Sequence, residues 1–328
     1  MKSIRRRLAA GLVFGFLVLL GLALVGDLRQ VGASFVAFNW LLAPFILACT
    51  LVNYGLRFLK WHYYLWQIGI RDFSWRESAR LFVAGFPLAV TPGKVGEALK
   101  GVWLNNKTQI PVARGVTVVL AERISDGLAV LILSTLGVIA YPRYWPVFAI
   151  VLGALLAAVL LSQIRPFAMG MLRLAERLPF IRRIAQHLRE FYEGAYALFR
   201  PRATLTAVAL GTFAWLGEGI GMYLVLIGLG VPSGWETLSI AVFVLSFSTV
   251  IGAVSALPGG LGAVEVSMTG MLTLLLGLPT STAATSTLLI RFATLWFGVT
   301  LGLAVWTRSQ DLLYLQEMGT GAPGHRGN

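Results

Sequence analysis

The chain has 328 residues, of which 57% are hydrophobic and 12% charged, with a formal net charge of +13. Soluble domains carry about 25% charged residues, so a mean hydropathy of +0.77 excludes a soluble globular protein and points to a multi-span membrane protein. Most of the 27 Lys and Arg fall in residues 2–7, 57–80 and 165–202, threaded between apolar segments, which is the pattern of inward-facing loops rather than of a nucleic-acid surface.

The first apolar run, Leu8 to Gly26, follows Lys2, Arg5, Arg6 and Arg7. It is longer than a signal-peptide core and lacks a small-residue cleavage site, so it reads as a retained span. Further full spans are expected at about 38–59, 116–140, 145–163, 203–229 and 283–307, with a short outside loop over 27–37. The charge rule places the N-terminus in the cytoplasm, residues 60–80 and 164–202 inside, and the C-terminus inside. Within 164–202, apolar residues from Leu174 to Leu198 recur at helical spacing between arginines, which predicts an amphipathic helix on the cytoplasmic interface. One cysteine, Cys49, precludes an intramolecular disulfide, and three dispersed histidines offer no zinc-ligand spacing; no cofactor or metal is expected.

Two regions, about 78–104 and 237–277, are interrupted by Pro-Gly. Pro92-Gly93-Lys94-Val95-Gly96-Glu97 and Pro258-Gly259-Gly260-Leu261-Gly262-Ala263-Val264-Glu265 place a helix break and a carboxylate inside apolar sequence. Glu97 and Glu265 are 168 positions apart, as are Arg123 and Arg291, so the chain carries an internal repeat. The arm Ser78 to Thr91 spans only ~21 Å as helix against a hydrocarbon core of ~30 Å, which predicts a re-entrant hairpin; the arm before Pro258 is long enough to cross. Charge-derived orientation then inserts the two hairpins from opposite sides. The expected fold is an all-α polytopic membrane protein of about six transmembrane helices plus two re-entrant hairpins in inverted-topology repeats. Repeat one covers about 38–140 and repeat two about 203–307, joined by span 145–163, within a single domain over 1–310 followed by a tail at 311–328.

Glu97, Glu122, Arg123, Asp126, Glu218, Glu265 and Arg291 lie in or at the ends of apolar segments, and each costs about 2.5–3.5 kcal/mol at a span centre. They must pair or face a wet cavity. Arg123 and Asp126 are spaced for a pair within one helix, leaving Glu122 available. Alternatively, Arg123 and Arg291 neutralise Glu265 and Glu97 and lock the repeats together. The half-helices after each Pro-Gly break should offer free N–H groups and a positive dipole end, an anion site that Lys94 strengthens. Glu97 and Glu265 could instead cap those half-helices. The candidate transport residues are Pro92, Gly93, Lys94, Gly96, Glu97, Glu122, Arg123, Asp126, Pro258, Gly259, Gly260, Gly262, Glu265 and Arg291, with Arg57 and Glu218 as additions.

In order along the chain, Pro92 to Glu97, Glu122-Arg123-Ile124-Ser125-Asp126, Pro258 to Glu265 and Ile290-Arg291 resemble the lysylphosphatidylglycerol synthase transmembrane, or flippase-like, family across residues 8–307. Lys94 stands where that family more often has Arg, keeping the charge and losing the bidentate fork. The resemblance implies lipid handling: movement of an anionic or polyprenyl-phosphate-linked headgroup across the cell membrane. It also implies partners among membrane lipids and lipid-synthesis enzymes, with no nucleic acid. With only about 20 residues after the last span, no synthase activity is expected of this chain. No phosphate-binding G-x-x-x-x-G-K-[ST] occurs, so ATP-driven transport is not expected. The alternatives are a membrane enzyme using Glu122 and Asp126 as acid and base, or an accessory subunit of a lipid-synthesis complex.

Overall fold

A computed structural model describes residues 2–91, 96–140, 145–166, 168–170 and 184–309. Among these residues all regular structure is helical: α1 Lys2–Val25, α2 Leu28–Ala37, α3 Ala43–Gln67, α4 Trp75–Ala84, α5 Leu99–Thr108, α6 Val112–Ala140, α7 Trp145–Gln163, α8 Ala185–Leu198, α9 Pro201–Gly228, α10 Trp235–Val254, α11 Ala263–Leu276, α12 Thr280–Arg291 and α13 Phe297–Arg308. Among the described residues, six helical stretches are long and apolar enough to cross a membrane: Leu8–Val25, Trp40–Gln67, Pro201–Gly228, Trp235–Val254, Pro258–Leu276 and Thr280–Arg308. The chain is a multi-pass membrane protein. Its outer face agrees, with Val36, Leu41, Phe45, Leu205, Phe213, Val266 and Leu274 all exposed.

Several sequence-based boundaries change. The expected loop at 27–37 contains α2, started by the Asp27 carboxylate, which accepts the Arg29 N–H at 3.0 Å. The span expected to end near residue 59 runs on to Gln67, so Arg57 and Lys60 lie inside α3 rather than in a basic loop. The helix expected over 164–202 is seen as α8, which buries Tyr192, Gly194, Ala195 and Leu198 and packs against α6. The 171–183 part of that expectation lies outside the described residues.

The two Pro-Gly-interrupted segments differ in helix length. In the first, α4 and α5 are ten residues each, ~15 Å of helix and half the hydrocarbon thickness. Gly85 and Pro87 tighten the chain after α4 into a 3₁₀ turn over Phe86–Val90. In the second, α10 alone has 20 residues, ~30 Å, and α11 follows the Pro258–Gly260 turn. The two breaks meet: the Phe86–Val90 turn touches the Pro258–Gly260 turn, with Val90 against Gly259.

Lipid tails are as apolar as leucine, so helix association here depends on close packing rather than on removal of apolar surface from water. At the α5–α6 crossing a Cβ on Gly115 would lie 2.8 Å from the Gly101 Cα, an approach only paired glycines permit. One core cluster, including Trp61, Leu65, Leu81, Phe82, Leu88, Leu104 and Val118, knits α3 to α6 with α4 and α5. A second, including Met222, Val225, Phe243, Phe247, Met268 and Ile290, joins α9 to α12. Helix α6 enters both, through Val118 to Leu128 in the first and through Val130 and Leu131 in the second. Its charges Glu122, Arg123 and Asp126 lie along the first stretch, just before the helix passes into the second cluster.

Candidate functional site

Each break carries one carboxylate, and each carboxylate is taken by an arginine 26 residues further along the chain. Glu97 follows the first break and accepts the Arg123 Nε–H at 3.0 Å; Glu265, on α11, accepts the Arg291 Nε–H at 2.6 Å. Pairing is thus within each repeat. It is neither Arg123 with Asp126 nor an exchange of partners between repeats, the two arrangements the sequence suggested. A chain segment that leaves the break and returns on the following helix holds its own counter-ion, which is the shorter connection.

Glu265 does a second thing. Its Oε2 accepts the Gly262 N–H at 2.7 Å, so the carboxylate caps the half-helix while its other oxygen holds Arg291. In the first repeat, Gly96 N–H donates to Thr91 Oγ1 at 3.1 Å. Of the N–H groups at the two breaks, those of Gly262 and Gly96 are met by protein oxygens, and the guanidinium groups of Arg123 and Arg291 bring positive charge beside them. Gly259, Gly260 and Gly262 have φ of 61°, 67° and 87°, the left-handed region that a side chain disfavours. Arg291 Nη2 also donates to the Gly259 carbonyl at 3.2 Å, tying α12 to the turn. A π-helical turn over Phe292–Trp296 follows Arg291 at once, the kind of local widening often found at functional positions. Its Thr294 carbonyl accepts the Tyr54 hydroxyl from α3.

Helix α6 holds the remaining acids. Asp126 is bound by Lys60 and, at 3.5 Å, by Arg57, both from α3; Lys60 also donates to Ser125 Oγ at 3.2 Å. Glu122, expected to be available, accepts Lys100 Nζ at 3.3 Å, and Lys100 packs 4.9 Å from the Trp61 ring centre. Lys60, Lys100, Glu122 and Asp126 are all buried. In the second repeat, 168 residues on, the positions of Lys60, Lys100, Glu122 and Asp126 are Gly228, Met268, Ile290 and Thr294. The Arg–Glu pair is common to both halves, whereas the lysine-bound acids belong to the first alone.

A cavity of about 500 Å³ opens where these elements converge. Of the sequence-derived candidates, Arg57, Glu97, Arg123, Asp126, Glu218, Gly259, Gly260 and Arg291 line it. Gly96, Glu122, Pro258, Gly262 and Glu265 stand behind that lining, and Pro92, Gly93 and Lys94 lie outside the described residues. Sequence reading missed Lys60 altogether, along with the wall residues Tyr54, Phe86, Trp215 and Thr249. The signal for Lys60 was a polar stripe, Asn53, Arg57, Lys60 and Tyr64, at three- and four-residue spacing on one face of α3. Lys100 and Thr294 also line the cavity, and most of the remaining wall is apolar, including Val130, Val151, Leu155, Leu245, Val250, Met268 and Leu295. A lining that combines charged and apolar side chains suits an amphiphile.

The sequence matches the model of the lysylphosphatidylglycerol synthase TM region over residues 8–302. The chain belongs to this family. A UPF0104 membrane protein of Methanothermobacter thermautotrophicus is 26% identical over 312 residues, covering 88% of this chain and 90% of the relative. The family match spans every element of the site, from α3 through α12.

Proposed function

We propose that the chain moves a lipid with an anionic headgroup across the cell membrane, using the cavity between the two broken elements as the headgroup's path. The observation that carries this reading is the state of Arg123. Its Nε is spent on Glu97, its side chain is 32% exposed, and its two terminal nitrogens have no partner among the described residues. A guanidinium anchored at one nitrogen and open at two is a receptor for a phosphate oxygen pair. Arg57 and Arg291 line the same cavity, so three guanidinium groups face one space with an apolar wall for acyl or prenyl chains.

In this reading the two hairpins enter from opposite faces of the membrane, with both termini in the cytoplasm, and the paired breaks lie near the midplane. The family's name supports lipid chemistry as the setting, here as transport of the lipid. The acid–base alternative loses ground on geometry: Glu122 and Asp126 are each held by a buried lysine, which favours a structural part for both over proton transfer to a substrate.

The test is reconstitution of the full chain in proteoliposomes with headgroup-labelled anionic, zwitterionic and polyprenyl-phosphate lipids. Faster movement of an anionic class, reduced at least tenfold by Arg123→Ala in a folded variant, is the expected result. Equal movement by wild type and Arg123→Ala refutes the assignment of the site.

A further inference from the structure

Among the buried carboxylates of the described residues, one stands outside the ion-pair network. Glu218, on α9, is 7% exposed and lines the cavity, yet it has no hydrogen bond or ion pair among the described residues. Glu97, Glu122, Asp126 and Glu265 all have a cation in contact. The charged and titratable groups around Glu218 come from three helices packed against α9: Arg57 and Tyr54 from α3, Asp126 from α6 and Arg291 from α12. Helix α10 meets α9 where Val242 packs on Gly219, and its one acidic residue, Glu236, lies in its first turn. None of these groups is within ion-pair distance of the Glu218 carboxylate.

A proton placed on Glu122, Asp126 or Glu265 takes the counter-ion from a largely buried cation, a heavily penalised state in low dielectric, and one placed on Glu97 releases the guanidinium that Glu97 anchors. A proton placed on Glu218 breaks nothing. We propose that Glu218 is the proton-exchange site of this cavity, and that a proton on Glu218 accompanies the anionic headgroup. The coupling half of this inference rests on the translocase reading; the proton site itself does not. An anionic headgroup drawn to Arg57, Arg123 or Arg291 brings a second negative charge beside Glu218. Like charges in a low-dielectric space oppose each other, and a proton taken from cavity water onto a Glu218 oxygen removes the conflict without breaking any covalent bond of the lipid. The acids of the two breaks, tied to Arg123 and Arg291, then serve as fixed counter-ions rather than as proton carriers.

The experiment is infrared difference spectroscopy on the full chain in nanodiscs, stepping the pH with and without phosphatidylglycerol. The expected result is a carboxylic-acid carbonyl band that grows as pH falls, is lost in Glu218→Gln, and returns shifted in Glu218→Asp. With phosphatidylglycerol present the band should reach half-height at higher pH than in neutral lipid. A band unchanged in Glu218→Gln, or no titrating band in wild type, overturns the proton site whether or not lipid moves. In proteoliposomes, headgroup movement that ignores the direction of a pH gradient overturns the coupling. A titrating Glu218 band in a protein that moves no lipid supports the proton site and refutes the translocase reading instead.

Discussion

Asp126→Asn is the substitution whose effect follows most directly from the network. It keeps shape and removes charge at a residue bound by Lys60 and Arg57. Lys60 has 0% of its surface exposed, so after the change its ammonium keeps only neutral acceptors, the Ser125 hydroxyl at 3.2 Å and the Asn amide oxygen, and no counter-ion. Arg57 fares better, since it borders the cavity and lies 5.9 Å from the Trp215 ring centre. The dominant loss is therefore the orphaned Lys60 charge, and breaking a buried pair from one side costs about 3–5 kcal/mol. Lys60→Met alone leaves Asp126 with Arg57 and should cost about 1–3 kcal/mol, the range for a buried polar group that loses one partner. The double variant carries neither orphan, and replacing both members of a buried pair is often close to neutral, so the single losses should largely cancel, a coupling of about 4 kcal/mol or more between the two sites. Reversible unfolding in mixed micelles of a mild detergent and dodecyl sulfate measures all four corners of the cycle. The exposed Arg165–Glu193 pair is the internal control, and its removal should leave stability unchanged. Wild-type stability in Asp126→Asn, or a double variant no better than that single one, would refute the buried-pair reasoning.

Other expectations concern the turns, the partnering and the topology. Gly259→Val forces a β-branched residue into φ of 61° beside Val90 and should cost about 1–2 kcal/mol in the same unfolding assay; an unchanged midpoint would show that the turn does not need glycine. Glu265→Gln keeps an oxygen for the Gly262 N–H but gives up the charge opposite Arg291, so it should lie between wild type and Glu265→Ala in stability, and equal losses for the two would deny the capping role. In a Cys49→Ser background, cysteines at Arg29 and Arg202 should react with impermeant maleimide from opposite sides of the membrane, and labelling of both from one side would overturn the assigned orientation.

The elements that break helix rules were the legible ones. Proline, glycine runs and charge inside apolar sequence are costly in a membrane, so Pro258 to Glu265, Glu97, Arg123 and Arg291 mark, from sequence alone, the segments that form or back the cavity wall. The repeat showed which positions correspond, but correspondence does not say which side chains touch. That required the fold of each half, which returns Arg123 to Glu97 and Arg291 to Glu265 with the same 26-residue separation. Lys60 was lost for another reason. Basic residues near the end of an apolar run read as a loop, and only the continuation of α3 to Gln67 turns Lys60 inward onto Asp126. Helix α2 went unseen because its cap, Asp27, stands in a segment too short for a periodic signal.

The claim that the headgroup travels through the cavity is tested most directly by blocking the cavity while leaving every ion pair in place. Thr249 lines the space from α10 and bonds only to its own helix at the Leu245 carbonyl, so Thr249→Trp fills the path without touching the charged network. Leu205→Trp, on the exposed face of α9, is the matched control. Labelled-lipid movement in proteoliposomes is expected to stop in Thr249→Trp and to continue in Leu205→Trp. Movement at the wild-type rate through a folded Thr249→Trp protein would contradict a cavity path.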